Sequence, residues 1–228
     1  GRLETPYQDK FGVPRQPGLV PSARGRLVLE ADYRREEALR GLEEFSHLWL
    51  VFLFDGVGEE EVGLTVRPPR LGGNEKVGVF ATRSPFRPNR IGMSACRLLG
   101  IEWDSSDSPT LLLAGVDLVN GTAVLDVKPY LPYADCLAEA RSGLAPQAPG
   151  RLPVQIAGEA ETSWAKVAVP EQAVILETLS LDARPAFHET DGRTYYLKVF
   201  DYDVAWQVKA GECVVKGIRK LRGECNSG

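Results

Sequence analysis

Methionine occurs once and histidine twice in the 228 residues, and the four cysteines (Cys96, Cys136, Cys213 and Cys225) stand far apart with no C-x-x-C pair. Such a set gives a zinc or iron–sulfur centre little to build on, so no metal is expected. Widely spaced thiols fit reduced cysteines in a cytoplasmic protein. Long hydrophobic runs are also missing. The longest, LWLVFLF at 48–54, falls far short of the roughly 20 apolar residues that span a bilayer. The opening GRLETPYQDK has no apolar signal core and no Met, and reads as the start of a trimmed or mature fragment. Neither membrane insertion nor export is expected. Three catalytic signatures are absent as well. No G-x-G-x-x-G follows a strand, LGGNEKVG lacks the P-loop spacing, and no G-x-S-x-G elbow appears. A Rossmann nucleotide site is therefore not expected, and any cofactor needs a different kind of pocket.

What the chain has is short strands. GRLVLEA (25–31), HLWLVFLFDG (47–56), EVGLTVR (61–67), KVGVFAT (76–82), GMSACRLLGIEW (92–103), TLLLAGVDLV (110–119) and AVLDVKPY (123–130) are strand-like runs. Turn signals such as RPPRLGGN, SPFRPNR, DSSDSP and NGT separate them, with Asn120-Gly121 reading as a hairpin turn. One helical pattern, REEALRGLEEF (35–45), puts Ala38, Leu39, Leu42 and Phe45 on one side. Many strands, one helix and no βα alternation predict a mainly β domain over 1–138, a closed or nearly closed barrel with one helix insertion. Residues 139–163, rich in Ala, Pro and Gly, read as a linker. A small α+β unit is expected over 164–228: a helix near PEQAVILETLSL (170–181), then TYYLKVFDYDVAWQV (194–208) and ECVVKGIRK (212–220) as a strand pair. Trp206 and Tyr202 read as core. His47, just before the apolar run, reads as a hydrogen-bonded packing residue.

Charge is unevenly placed. The chain carries a net −4, yet Val66 to Arg97 holds seven basic residues against Glu75 alone, leaving −10 for the rest. A basic island of this kind points to an anionic partner. Its arginines sit in proline-stiffened loops: VRPPRLGGN with Arg67 and Arg70, and ATRSPFRPNR with Arg83, Arg87 and Arg90. KFGVPRQPGL adds Arg15 and Gln16 between Pro14 and Pro17. Proline restricts itself and the residue before it, so such loops present guanidinium forks at little ordering cost. The bland alternative is that proline ends strands and arginine solvates them. In DLVNGTAVLDVKPYLPY, Asp126 and Lys128 fall on one strand face, where an ion pair is equally natural. The residues alone leave both choices open.

Taken in order and spacing, KFGVPRQPGL, GLEEFSHLWLVFLF, VRPPRLGGNEKVGVFATRSPFRPNRIGMS and DLVNGTAVLDVKPYLPYAD resemble the TrmO (YaeB or TsaA-like) family, and DARPAF and DGRTYYLKVFDYDVAWQV extend the likeness into the second unit. The resemblance implies a single-sheeted β-barrel that binds S-adenosyl-L-methionine and methylates N(6) of threonylcarbamoyladenosine, 3′ of the anticodon at tRNA position 37. It also implies a homodimer with cofactor pockets near the subunit interface. By motif matching, the cofactor would be held by Arg15, Gln16, Pro17, Asp55, Arg83 and Met93 together with Asp126, Val127, Lys128, Pro129 and Tyr130. Asp126 and Tyr130 are the candidates for positioning or proton removal. Arg67, Arg87 and Arg90 would face the anticodon stem-loop. Three departures stand out: Asp55 where the family often has His, RPNRIG for the common RPNPIG, and DVAWQV without the arginines of VRWRV. Two rivals remain on the same barrel, a non-enzymatic RNA-binding or cofactor-sensing protein and a small-molecule methyltransferase.

Overall fold

The computed structural model describes residues 1–68, 75–143, 145–184 and 192–221. Arg70, the end of DARPAF, Arg222 and Cys225 lie outside them. Six strands close a barrel: β1 (Arg2–Glu4), β2 (Arg24–Val28), β3 (His47–Leu53), β6 (Ile91–Glu102), β7 (Thr110–Ala114) and β8 (Thr122–Pro129), in the order β1-β2-β7-β6-β3-β8 with β8 returning to β1. All the pairings are antiparallel. Alternation decides which side chains fill it. Along β3, Leu48, Leu50 and Phe52 point inward and are buried, meeting Leu3, Leu27, Cys96, Leu98, Leu111, Leu113 and Val124. Each such leucine contributes about 1.5–3 kcal/mol by leaving water. Gly92, opposite Phe52, is required by packing: a Cβ there would lie 2.3 Å from the Phe52 ring, which makes an edge contact with Phe54 at 5.0 Å.

Several expectations need correction. The helix over 35–45 is one turn, α1 (Glu36–Leu39), and a 3-10 turn at Leu42–Glu44. Gly41, at φ 85°, breaks it between them. Runs 61–67 and 76–82 shrink to β4 (Thr65–Val66) and β5 (Val77–Gly78), a separate two-stranded ribbon. Asn120-Gly121 turns the chain without making a hairpin, because β7 and β8 are not neighbours. Its amides instead bind the N-terminal segment, Asn120 N–H to the Tyr7 carbonyl (2.7 Å) and Gly121 N–H to that of Leu3 (2.8 Å). The strand β1 carries too few residues to show a period, and the sequence reading passed over it. His47 is exposed; its Nδ1 meets Ser46 Oγ at 2.9 Å.

The second unit has more sheet than expected. Residues 194–208 are two strands, β10 (Tyr195–Val199) and β11 (Tyr202–Lys209), split by a tight turn in which Phe200 takes φ 53°. β12 (Glu212–Lys220) follows, and β9 (Val154–Ile156), from within the stretch read as linker, pairs with it in parallel. That same stretch holds most of a 3-10 turn and the one-turn α3 (Glu161–Trp164). Helix α4 (Val169–Ser180) buries Val174, Ile175 and Leu179, and Trp206 is fully buried in the same core. One further turn, α2 (Pro132–Asp135), follows β8.

Candidate functional site

Two rigid loops meet at one spot. The loop at 10–19 is anchored by Gly18 N–H on the Gly115 carbonyl at 2.9 Å and has Pro14 buried, leaving Arg15 exposed and Gln16 half-buried. The loop at 82–90 starts with Thr82 Oγ donating to the Val79 carbonyl (2.8 Å) and accepting from Ser84 N–H (3.2 Å). Between the loops the Arg83 guanidinium donates to the Gln16 side-chain carbonyl, a contact spanning 67 residues of sequence. That bond fixes the plane of an exposed arginine, which leaves a charged fork aimed at solvent.

Close by lies a carboxyl that the sequence reading missed. Asp117 is half-buried, accepts from Ser94 Oγ at 2.6 Å, and has its pKa pushed up to about 6 by burial. The Ser94 bond, a backbone hydrogen bond and the positive charge of Arg83 oppose that shift. Asp117 in turn adds to the burial that raises the Cys96 thiol to about 12, so this cysteine is unreactive. The available signal was Ser94 itself, a polar residue in the inward row of β6 between Gly92 and Cys96, since a buried hydroxyl needs a partner.

The remaining candidates lie mainly on the outside of the barrel. Register places Met93, Val51 and Asp126 in one cross-strand row, and Ala95, Trp49 and Lys128 in the next. Asp126 forms the expected ion pair with Lys128 at 2.9 Å, which holds its carboxyl below the usual range. The Tyr130 ring lies 5.7 Å from that of Trp49 and 6.3 Å from that of His47. Val127 and Pro129 alternate to the other side, opposite Leu50 and Leu48. Asp55 is tied to Arg2 at 2.9 Å. Arg87 donates to the carbonyls of Thr82 (3.1 Å) and Ser84 (3.4 Å), and Arg90 to that of Val57 (2.7 Å), so both brace their own loop. Arg67 is exposed at the end of β4. The structure thus joins Gln16 to Arg83, and sets Met93 and Asp126 on opposite sides of Val51 on the outer face of the barrel, with Lys128 paired to Asp126. Among the described residues no cluster of three His, Cys, Asp or Glu side chains is placed to hold a metal ion.

Fold and site together define a class: a closed antiparallel barrel with a cationic fork on stiff loops and a small α+β unit packed beside it. Comparison with known proteins narrows the class. Residues 2–136 match the tRNA-methyltransferase O N-terminal domain and 149–221 the TrmO C-terminal domain. The tRNA (adenine(37)-N6)-methyltransferase of Escherichia coli K12 is 46% identical over 214 residues, covering 91% of each chain. A Pseudomonas aeruginosa protein named as an S-adenosylmethionine-dependent methyltransferase is 44% identical over 211 residues, 90% of this chain and 89% of that one. The crystal structure of TrmO from the same organism superposes with a TM-score of 0.79 at 36% identity, covering 96% of this chain and 94% of the other. The chain belongs to the tRNA-methyltransferase O family.

Proposed function

We propose that the protein transfers a methyl group from S-adenosyl-L-methionine to N(6) of N(6)-threonylcarbamoyladenosine at tRNA position 37. Family membership and the names of its relatives support tRNA adenine methylation. The observation that carries the reading to these residues is the meeting of Gln16 and Arg83, a preset donor fork of the kind a cofactor carboxylate needs. The donor set fits: Arg83 and Arg15 answer a carboxylate, Gln16 and Pro17 offer carbonyl oxygens for an ammonium, and Met93 is 54% exposed as an apolar contact. When bound, the cofactor supplies a methyl group made electrophilic by its sulfonium.

The chain's own work is placement. An acceptor nitrogen must be held at a near-attack distance of roughly 3–3.5 Å. Asp126, kept ionised by Lys128, is a weak base but a ready acceptor for an N–H, so it orients the acceptor more than it deprotonates it. Tyr130 offers a ring braced by Trp49 and a hydroxyl that donates or accepts. This reading is of a homodimer in the cytoplasm, with the cofactor pocket near the subunit interface. In it Arg83 of one subunit approaches the Asp126 face of its partner. Ile91, Met93 and Leu125, on the two strands flanking β3, are 42%, 54% and 57% exposed and form the apolar surface to be covered. Arg67 and Arg87 are assigned to anticodon-loop phosphates, with Arg90 beside them. Arg87 spends only Nη1 on its own loop.

Incubation with methyl-labelled cofactor and tRNA from cells lacking this gene, followed by nucleoside mass spectrometry, tests the reading. The expected product is threonylcarbamoyladenosine heavier by one labelled methyl group. Cofactor binding with no transfer to tRNA would overturn it.

A further inference from the structure

The stretch that carries Arg15, Gln16 and Pro17 belongs to the barrel domain, yet its other side is held by the second unit. From Thr5 to Ser22 the chain runs between the two. On the barrel side, Thr5 Oγ donates to the Leu118 carbonyl at 2.8 Å, and Gly18 N–H donates to that of Gly115. On the opposite side, Tyr7 bridges to Val199 and its hydroxyl meets Thr178 Oγ at 3.3 Å, both groups being buried. Phe200 N–H donates to the Pro6 carbonyl at 2.6 Å. The Phe11 ring stacks on Tyr195 at 6.4 Å. Gly12, at φ +86°, lies so close to Leu197 that a Cβ would approach its Cδ1 to 2.2 Å. Beyond the functional loop, Arg151 donates to the Leu19 carbonyl at 2.5 Å and to Ser180 Oγ at 2.8 Å.

The tie with the clearest chemistry is Glu177 on α4. One carboxylate oxygen accepts from Ser22 N–H at 3.0 Å and the other from Ser22 Oγ at 2.8 Å, across 155 residues of sequence. A carboxylate taking two hydrogen bonds from a single residue fixes both position and direction. Ser22 ends the segment whose other anchors are Tyr7 and Phe11, so Gln16 is suspended between points fixed by the second unit. We infer that the C-terminal unit is a clamp that presets the Arg15–Pro17 loop for its ligand, with Glu177 as the positioning residue. This rests on the reading that the loop binds S-adenosyl-L-methionine.

A positioning role differs from a merely structural one in what it changes. Loosening the loop weakens cofactor binding, while the chemical step on bound substrates keeps its rate. Glu177→Ala is expected to raise the cofactor KM, and the Kd by calorimetry, on the order of five-fold or more, with kcat at saturation and the tRNA KM little changed. Glu177→Gln keeps an acceptor for Ser22 N–H and turns an amide donor toward the Ser22 hydroxyl, so it is expected to restore most of the affinity. Ser22→Ala, which deletes one bond and disturbs packing least, is expected to give a smaller effect in the same direction. Gln16→Ala and Arg83→Ala serve as controls within the loop contact itself. If those two weaken cofactor binding while a folded Glu177→Ala binds normally, the clamp is refuted and the site reading stands. If none of Glu177→Ala, Ser22→Ala, Gln16→Ala and Arg83→Ala weakens binding, the site reading has failed. A Glu177→Ala defect in kcat or tRNA KM alone, or one that Gln does not relieve, also overturns the clamp.

Discussion

Arg83 and Asp117 occupy one neighbourhood with opposite tasks. Arg83 is exposed and held by a neutral amide, which leaves its charge for a ligand. A charged hydrogen bond contributes about 1.5–3 kcal/mol, so Arg83→Ala is expected to weaken S-adenosyl-L-methionine binding roughly ten-fold or more by calorimetry. Asp117 has its folded pKa raised from the ordinary 3.8 to about 6. The folded state therefore holds this proton more tightly than the unfolded state. The resulting stabilisation is complete below the ordinary value and is lost as pH rises through about 6. Asp117→Asn keeps an acceptor for Ser94 Oγ and carries no charge to bury. Relative to wild type, the variant should gain stability between about pH 4 and pH 7, on the order of 2 kcal/mol at about 1.4 kcal/mol per pKa unit. Urea titrations at the two pH values check this, and a pH-independent difference would place the shift elsewhere.

Loops more than strands distinguish this chain at the scale of elements. The RPNRIG turn places Arg90 at φ 51°, with its N–H donated to the Arg87 carbonyl at 3.0 Å and its own carbonyl taking Phe54 N–H at 2.7 Å. Proline, common at this point in the family pattern, is locked near −65° and has no N–H. Arg90→Pro should thus cost more than about 1 kcal/mol of stability, read by denaturant midpoint, although it moves the motif toward the common form. Strand identity was legible where alternation was long: β3 and β6 were both read close to their observed extents. Elements failed to show where a few residues do the work through distant partners. Residues Arg2–Glu4 become a strand only because β2 and β8 offer edges, and Val154–Ile156 only because β12 does. The candidate site divides in the same way. Arg83 and Gln16 were visible as rigid polar loops, whereas Asp117 and Glu177 depend on partners 23 and 155 residues away.

The whole molecule shares one buried core: residues from Leu3 and Leu50 in the barrel to Ile175 and Trp206 in the second unit form a single cluster. Ile91 and Met93 on β6 and Leu125 on β8 stay outside that core, and in the proposed homodimer the second copy covers them. Leu125→Asp should convert a dimer to monomers in light scattering at micromolar concentration, with loss of methyl transfer. A wild-type monomer that retains activity would remove the dimer from the mechanism. The closure of the barrel also bears on how the chain is made. The amino group of Gly1 reaches the Val124 carbonyl at 3.0 Å, and Arg2 pairs with Ala123. During synthesis the first strand must wait for the last, more than half the chain later, and the loop at 10–19 waits longer still for α4 and β10. Such distant pairing makes folding slow. A ribosome that stalls before β8 at residue 122 would release an open sheet with bare edges, the form of this protein most in need of a chaperone.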